Sequence, residues 1–313
     1  MTRMFVFPGQ GSQRPGMGAA LADAFAVSRE VFEEVDDALG RHLSRLMREG
    51  DADDLTLTSN AQPALMAVSV AVLRVIVSES GQSVPALCRL AAGHSLGEYS
   101  ALVASGVLGL ADTARLLDLR GRAMQEAVPV GEGAMAAVVG LGIDDVAGIA
   151  AEASHAGVCV VGNDNAPSQV VISGKKEAVE VASDLASQRG AGRVVPLPVS
   201  APFHSPLMEP AARRMEEALA EVTFAVPAVP VVSNVTARPE TAPADMRRLL
   251  VDQITARVRW RESMSDLADH GVSSVAELGA GRTLCGLMRR IDRDITAVPV
   301  ETPRDVEAFL NAL

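Results

Sequence analysis

A serine between two glycines is the feature that most constrains how this chain can fold. Residues 93–97 read Gly-His-Ser-Leu-Gly, the G-x-S-x-G pattern of a sharp turn that leads from a buried strand into a helix. The preceding run, 86–92, is mostly apolar, and apolar residues follow the turn at helical spacing. Such an elbow lifts the Ser95 hydroxyl clear of the backbone and puts the Leu96 N–H at a helix N-terminus. An ordinary tight turn would also suit these residues, so the pentapeptide alone leaves both interpretations open.

The order of the other apolar runs predicts an α/β fold built from two units. Strand-like runs alternate with helical stretches from the first predicted strand, residues 4–7, onwards. Within 129–199 the predicted order is β-α-β-β-α-β, the split βαβ pattern of ferredoxin-like domains. We therefore expect a large α/β core, residues 1–128 and 200–313, with a ferredoxin-like subdomain inserted at 129–199. A cleft between two such units is a common place for a ligand site.

Composition limits the function classes. The chain has 313 residues, 48% hydrophobic, with a formal net charge of −11, which argues against nucleic acid or an anionic membrane as the main partner. Its three cysteines lack metal-ligand spacing and suggest a reducing compartment. The most apolar run, 64–77, contains Arg74 and is too short for a bilayer, so we expect a buried helix that is capped by Ser59 or Asn60 and has Pro63 near its first turn. The N-terminus does not match a secretory signal, and we expect a soluble, cytoplasmic protein.

A nucleophilic serine needs a base, and His204 is the best candidate among the five histidines. It lies between Pro202 and Pro206, where the chain returns to the predicted core. A base at this position would remove the proton of the Ser95 hydroxyl. The alternative is a histidine that only packs or caps a helix.

Arg120 stands out because it occupies the apolar face of a predicted helix, 114–126. It is four residues from Leu116 and Met124, so all three side chains share one side. An arginine keeps its charge in such a place and needs an anionic partner. That partner is either a carboxylate of the protein or the carboxylate of a substrate, and the spacing favours neither.

The loop that follows the first strand, residues 7–13, contains Gly9 and Gly11. Two glycines here permit a close backbone approach, but the lysine of a phosphate-binding loop is missing. A backbone N–H of this loop is a candidate for a second oxyanion donor beside Leu96. A plain strand-to-helix turn is the alternative.

Taken together, the order and spacing of these motifs resemble the malonyl-CoA:acyl carrier protein transacylase family along nearly the whole chain. The matching segments are FVFPGQGSQ (5–13), AQPA (61–64), GHSLGEYSAL (93–102), LRGRAMQEAVP (119–129), GAMAAVVG (133–140), GNDNAPSQVVISG (162–174), LPVSAPFHSPLM (197–208) and ELGAGRTL (277–284).

The resemblance implies an α/β-hydrolase-like core with a ferredoxin-like insert, in agreement with the independent interpretation above. It also implies that Ser95 carries the acyl group and that His204 is the base. The backbone N–H groups of Leu96 and Gln10 would form the oxyanion hole, and Arg120 matches the arginine that binds the malonyl carboxylate.

Three further roles follow from the resemblance. In the family a backbone carbonyl orients the histidine, and Arg259 is the matching position here. Asn163 is expected to line the cleft, and Phe203 to favour malonyl over branched acyl groups. Malonyl-CoA and acyl carrier protein would be the substrates of a monomeric enzyme that needs no metal or redox cofactor.

Acidic carrier proteins require a local basic surface on this acidic chain. The candidates for this docking patch are Arg282, Arg289, Arg290, Lys175, Lys176, Arg189 and Arg193. A solvated charge cluster is the alternative. Service in fatty acid synthesis is the expected function, with a stand-alone malonyltransferase of a polyketide pathway as its alternative. An esterase or thioesterase, and a non-catalytic carrier-binding module, are the remaining hypotheses.

Overall fold

The computed structural model describes residues 2–199 and 201–313; Met1 and Ser200, the first residues of the two predicted core segments, lie outside this description. The strands are β1 (Arg3–Phe7), β2 (Leu90–Gly93), β3 (Gly133–Val139), β4 (Cys159–Ala166), β5 (Gln169–Lys175), β6 (Arg193–Pro196), β7 (Val231–Val232), β8 (Pro239–Glu240), β9 (Ser274–Leu278) and β10 (Thr296–Val300). The α-helices are α1 (Ala19–Ala24), α2 (Ala26–Leu39), α3 (Leu43–Glu49), α4 (Ala52–Thr56), α5 (Thr58–Ser80), α6 (Val84–Leu87), α7 (Gly97–Ala104), α8 (Leu110–Glu126), α9 (Ile143–Ala153), α10 (Lys176–Gln188), α11 (Glu209–Ala220), α12 (Pro243–Thr255), α13 (Trp260–Ser265), α14 (Thr283–Ile291) and α15 (Pro303–Leu310).

A six-stranded sheet forms the centre of the larger unit. Its strand order is β10-β9-β1-β2-β7-β8, and the pairs are parallel except for β7 with β8. In β1, residues 4–7 are all fully buried, as expected for a continuous apolar strand with a layer on each face. The α/β prediction is therefore confirmed, and the carboxyl ends of β1 and β2 lie side by side.

The smaller unit is a four-stranded antiparallel sheet with the order β4-β5-β3-β6. Two helices, α9 and α10, lie between its strands along the chain, so the predicted β-α-β-β-α-β order is confirmed. It has its own apolar core, in which Val138, Ile149 and Ile172 are fully buried.

Two contacts join the small sheet to the large unit beside the cleft. Val258 donates its N–H to the Gly162 carbonyl at 2.8 Å and accepts from the Asp164 N–H at 2.9 Å. The Asp164 carboxylate is fully buried and accepts from the Arg261 guanidinium at 2.8 and 3.0 Å. A buried carboxylate needs such a cationic partner. Because Gly162 and Asp164 are both bound in this way, Asn163 between them is held at the cleft.

The most apolar run lies in a buried helix, as predicted, but the predicted N-cap is wrong. Helix α5 has 23 residues, Thr58–Ser80, so Ser59 and Asn60 lie inside it and Leu57 is the N-cap. It is long and apolar enough to cross a membrane by length and composition alone, but 83% of its most apolar window is buried inside the protein. It packs against α2 and α8, so it is a core helix.

Only part of the apolar run before the elbow, residues 86–92, forms the predicted strand. Residues 84–87 form the short helix α6, with Pro85 in its first turn, and β2 is limited to Leu90–Gly93. Proline suits the first turn of a helix because no N–H is required there, whereas in a central strand it would remove a ladder hydrogen bond.

Candidate active site

The elbow prediction is confirmed by the backbone. β2 ends at Gly93, α7 begins at Gly97, and Ser95 between them has φ of +54°, a left-handed conformation that is rare for a serine. A Cβ at Gly93 would lie 1.8 Å from the Gly97 carbonyl carbon, and one at Gly97 would lie 2.2 Å from the Phe7 oxygen. Both positions therefore require glycine: Gly93 because the turn folds back onto it, and Gly97 because strand β1 lies against it.

Ser95 and His204, 109 residues apart, are in direct contact. The Ser95 Oγ is 2.8 Å from His204 Nε2. On its other side, His204 Nδ1 is 2.9 Å from the Gln253 carbonyl oxygen. A carbonyl can only accept, so Nδ1 carries the proton, and Nε2 is left as an acceptor for the serine hydroxyl. This is the tautomer that a general base requires.

The prediction that the Arg259 carbonyl orients the histidine is wrong; Gln253 supplies the carbonyl. Gln253 lies in the last turn of α12, where carbonyl groups have no intrahelical partner and are free to accept another donor. Arg259 instead precedes α13, and its carbonyl accepts from the Ser263 N–H at 2.9 Å within that helix. Its guanidinium pairs with Glu262.

Arg120 lies beside the reactive serine, as the third member of the group. Its Nη2 donates to Ser95 Oγ at 3.1 Å and to Gln253 Oε1 at 2.9 Å, and its Nη1 donates to Gln62 Oε1 at 2.8 Å. The side chain is only 1% exposed, and all three acceptors are neutral. Within residues 2–199 and 201–313 no carboxylate forms an ion pair with it; Glu98 acts on it only electrostatically, so the buried guanidinium has no anion in direct contact.

The electrostatics favour a neutral histidine. Burial, followed by the positive charge of Arg120, lowers the pKa of His204 to about 3. Burial also lowers the pKa of Arg120, although an arginine remains protonated at neutral pH. His204 can therefore accept a proton from Ser95 at any physiological pH.

The two predicted oxyanion donors lie along the same cavity. Gln10 and Leu96 both line it, and neither backbone N–H has a hydrogen-bond partner in the described part of the chain. The Gly9 loop approaches the elbow closely, since a Cβ there would lie 2.7 Å from the His94 oxygen. The close approach expected of this loop is thus to the elbow itself.

A cavity of about 160 Å³ opens over Ser95 between the two units. Its apolar wall is formed by Met135, Leu197 and Phe203, and Asn163 also lines it, with an Oδ1 that is buried without a partner. No group of three or more His, Cys, Asp or Glu side chains suited to a metal ion occurs in the described residues.

The predicted docking residues are all exposed, but they do not form one patch. Arg282, Arg289 and Arg290 belong to α14 or its N-cap, and Arg290 Nη1 donates to Gln169 Oε1, at the start of β5, at 2.6 Å. Lys175 is the last residue of β5, six positions after Gln169 and therefore about 20 Å from it, and Lys176 comes next. Of the remaining candidates, Arg189 forms an ion pair with Glu152. Arg193, on β6, lies at the same end of the small sheet as Gln169, with β3 between the two strands.

Sequence reasoning missed Gln253, which contacts three members of the site. It lies three residues after Leu250 and four after Leu249 on the buried face of α12, so it is a polar residue on an apolar helix face. The same criterion singled out Arg120 and would have found Gln253. Asn234 was missed too: its side chain accepts from the Ser95 N–H and donates to the Gly93 carbonyl, both at 2.7 Å. No periodic pattern marks it.

Comparison with known proteins agrees with this geometry. The family model described as "Acyl transferase domain" matches residues 4–299. The malonyl CoA-acyl carrier protein transacylase of Escherichia coli K12 is 46% identical over 306 residues, 98% of each protein. The acyl-carrier-protein-S-malonyltransferase of Bartonella henselae is 53% identical, with a TM-score of 0.97 over 100% of this chain and 99% of the other. A malonyl-transacylase solved in complex with its type II PKS acyl-carrier protein is 42% identical, with a TM-score of 0.96 and complete coverage of both chains. The chain therefore belongs to the malonyl CoA-acyl carrier protein transacylase family of acyl transferases.

Proposed function

We propose that this enzyme moves a malonyl group from malonyl-CoA to the phosphopantetheine thiol of acyl carrier protein through an acyl-enzyme on Ser95. One observation carries the proposal: a buried guanidinium, with no anion of the described residues in direct contact, lies 3.1 Å from the Ser95 hydroxyl. In a malonyl thioester the free carboxylate carbon is two bonds, about 2.5 Å, from the carbonyl carbon that the serine attacks. A guanidinium next to the serine hydroxyl therefore suits an acyl group whose carboxylate lies this close to the carbonyl carbon under attack.

The architecture supports this use of the cleft. We propose that residues 1–128 and 200–313 form an α/β-hydrolase-like core and that residues 129–199 form a ferredoxin-like subdomain. The strand order β4-β5-β3-β6, with its two crossing helices, is the order expected for the insert. Ser95 and His204 then come from the core, while the insert contributes Met135 and Asn163 to the wall.

In the first half-reaction, Ser95 Oγ attacks the thioester carbonyl and passes its proton to His204 Nε2. The developing oxyanion is stabilised by the N–H groups of Leu96 and Gln10. The intermediate collapses with cleavage of the C–S bond, and His204 gives its proton to the departing CoA thiolate. In the second half-reaction His204 takes the proton of the carrier's thiol, which attacks the malonyl ester, and returns a proton to Ser95.

Arg120 has a second effect, on the base. Its charge is the second-largest cause of the low pKa of His204. A malonyl carboxylate bound to Arg120 offsets that charge, so the pKa of His204 rises when this substrate occupies the site. An acyl group without a carboxylate leaves the histidine a weaker base, which adds to the selectivity.

Phe203 and Asn163 complete the selection of the acyl group. The Phe203 carbonyl accepts from Ser173 Oγ at 2.6 Å, which fixes this residue against the small sheet at the cavity wall. A bulky aromatic there leaves little room for a methyl branch, so we infer a preference for malonyl over methylmalonyl. The unpartnered Oδ1 of Asn163 is available to a donor of the substrate.

Carrier docking is inferred from charge. Arg290, which contacts Gln169, and Arg193 lie at one end of the small sheet, with Arg289 beside Arg290 on α14 and Arg282 at the N-cap of that helix, while Lys175 and Lys176 lie at the other end. An acidic carrier would be attracted to the first group. We propose a cytoplasmic monomer that serves fatty acid synthesis. A polyketide pathway is the alternative, because a transacylase solved with a type II PKS carrier covers this whole chain.

Mass spectrometry tests the proposal directly. Incubation with malonyl-CoA should add one malonyl group to Ser95, and none to Ser95→Ala. Adding holo acyl carrier protein should discharge the adduct far faster than buffer alone. Equal rates would identify a hydrolase, and no adduct would leave a non-catalytic module. Comparing carriers of fatty acid and polyketide synthesis in this assay separates the two pathways.

A further inference from the structure

Both residues of the reactive pair have strained backbones. Ser95 and His204 have φ of +54° and +58°, and such conformations persist only when the surrounding contacts enforce them. The backbone of Ser95 is bound on both sides: its N–H donates to Asn234 Oδ1 at 2.7 Å, and its carbonyl accepts from Gln253 Nε2 at 3.0 Å. Whatever fixes Asn234 and Gln253 therefore fixes the elbow.

One buried carboxylate contacts both of these residues. Glu98, in the first turn of α7, is 4% exposed, and its Oε2 accepts from the Asn234 N–H at 3.1 Å and from Gln253 Nε2 at 2.7 Å. The mechanism described above gives Glu98 no role. Burial of an acid is unfavourable unless its hydrogen bonds compensate, so a structural or functional reason for its presence is required.

The contacts of Gln253 suggest the functional reason. Its amide lies between a cation and a buried acid: Oε1 accepts from Arg120 Nη2 at 2.9 Å, while Nε2 donates to Glu98. A rotation of the amide by half a turn would place NH₂ against the guanidinium, donor against donor. The hydrogen bond to Glu98 is the shorter of the two that Nε2 makes, 2.7 Å against 3.0 Å to the Ser95 carbonyl.

We propose that Glu98 is a positioning residue for acyl selection, which holds the Gln253 amide with its oxygen towards Arg120 and thereby keeps the guanidinium beside Ser95. The inference rests on the proposed function in one respect, that Arg120 binds the malonyl carboxylate. Glu98 itself touches neither the substrate nor the reacting atoms. Its effect should therefore appear in the preference for a carboxylated acyl group and much less in the reaction of an uncharged one.

The charges around Glu98 agree with this role. Arg120, on α8, lowers the pKa of Glu98, and Glu240, on β8, raises it; burial is the largest cause, and the net pKa is raised to about 7. Glu98 accepts hydrogen bonds in either protonation state through its carbonyl-type oxygen, so the geometry of acceptance carries the proposal.

The test compares acylation of Ser95 by malonyl-CoA and by acetyl-CoA, measured as two second-order rate constants and their ratio. Glu98→Leu removes the accepting oxygen at similar size, while Glu98→Gln keeps it, because the Asn234 N–H directs the amide oxygen to the same place. Glu277→Leu is the matched control: Glu277 is also a buried acid that accepts two hydrogen bonds, here from the N–H groups of Leu284 and Cys285, but it lies on β9 and holds the first turn of α14.

We expect Glu98→Leu to lower the malonyl-to-acetyl ratio about tenfold, and Glu98→Gln to stay within about threefold of the unmodified enzyme. Glu277→Leu should leave the ratio unchanged. A ratio in Glu98→Leu within threefold of the unmodified enzyme would overturn the proposal, as would an equal loss in Glu98→Gln.

Gln253→Met keeps the inference testable if Glu98→Leu does not fold. It removes the amide but keeps the backbone carbonyl that binds His204, so it should reproduce the tenfold loss; an unchanged ratio overturns the proposal. The unmodified enzyme and Arg120→Ala separate the two levels of inference. If the unmodified enzyme shows no malonyl preference, the proposed function fails. If Arg120→Ala abolishes the preference while Glu98→Leu and Gln253→Met keep it, only the role of Glu98 fails.

Discussion

Replacing Arg120 with alanine should turn a malonyl-selective enzyme into one that hardly distinguishes malonyl from acetyl. The guanidinium is 1% exposed and donates only to neutral oxygens, those of Gln62, Gln253 and Ser95. No carboxylate of the described residues is in direct contact with it, so the protein should tolerate its removal better than the loss of one partner of a buried ion pair, although the pKa of the buried Glu98 loses one of the influences that lower it.

The magnitude follows from the hydrogen bonds that the malonyl carboxylate would lose. A hydrogen bond to a charged group contributes roughly 1.5–3 kcal/mol, and about 1.4 kcal/mol corresponds to a factor of ten. The malonyl-to-acetyl ratio of acylation rates should therefore fall about ten- to a hundredfold. Acetyl transfer should not slow, because loss of the positive charge also lifts one cause of the low pKa of His204.

Rapid mixing with each acyl-CoA, followed by intact-mass measurement of the Ser95 adduct, gives both rates. Arg115→Ala is the matched control, since Arg115 belongs to the same helix but is exposed and paired with Asp112 at 2.8 Å. A ratio in Arg120→Ala equal to that of the control would refute the assignment of a carboxylate-binding arginine. An equal fall in both acyl groups would do so as well, because it would indicate general damage to the elbow.

Three other outcomes are expected. Since the pKa of His204 is lowered to about 3, acetylation of Ser95 should not slow between about pH 7 and pH 5, where an ordinary histidine titrates; a fall centred near 6.5 in stopped-flow rates would contradict this. The pKa of Glu98 is raised from 4.5 to about 7, so between these pH values the folded protein binds more protons than the unfolded chain. The free energy of unfolding in urea should therefore fall as the pH rises from 4.5 to 7, by up to about 3 kcal/mol relative to Glu98→Gln. Parallel pH curves of the two proteins would refute the shift. Charge reversal at Arg289 and Arg290 should raise the KM for acyl carrier protein but not for malonyl-CoA, and a larger effect from reversal at Lys175 would place docking at the other end of β5.

The local parts of this site were predictable because local sterics and periodicity determine them. Gly93 and Gly97 surround a serine with a left-handed backbone, and the turn itself leaves no space for a Cβ at Gly93, which the pattern shows directly. Arg120 was predictable because a charged residue at helical spacing among apolar ones has to be buried. The β-α-β-β-α-β order followed from alternating periodicities in the same way.

Contacts between distant segments were predicted less well. The resemblance places the carbonyl behind His204 at Arg259, but whether a carbonyl is free depends on where a helix ends, and α12 ends just after Gln253. A match to a family motif does not show that helix end, so it places the free carbonyl on the wrong residue. The docking residues were grouped by charge alone, without the length of β5 that separates them.

The sequence by itself therefore determined the elbow, the α/β class, the inserted unit and the buried cation, since each depends on neighbours along the chain. Only the tertiary structure decided that Ser95, His204 and Arg120 meet, that Gln253 contacts all three, and that Glu98 holds Gln253. These contacts join residues 25 to 158 positions apart, and they depend on how helix ends and strand ends pack against one another. No spacing along the chain encodes that packing, because it results from the burial of many distant segments together in one core.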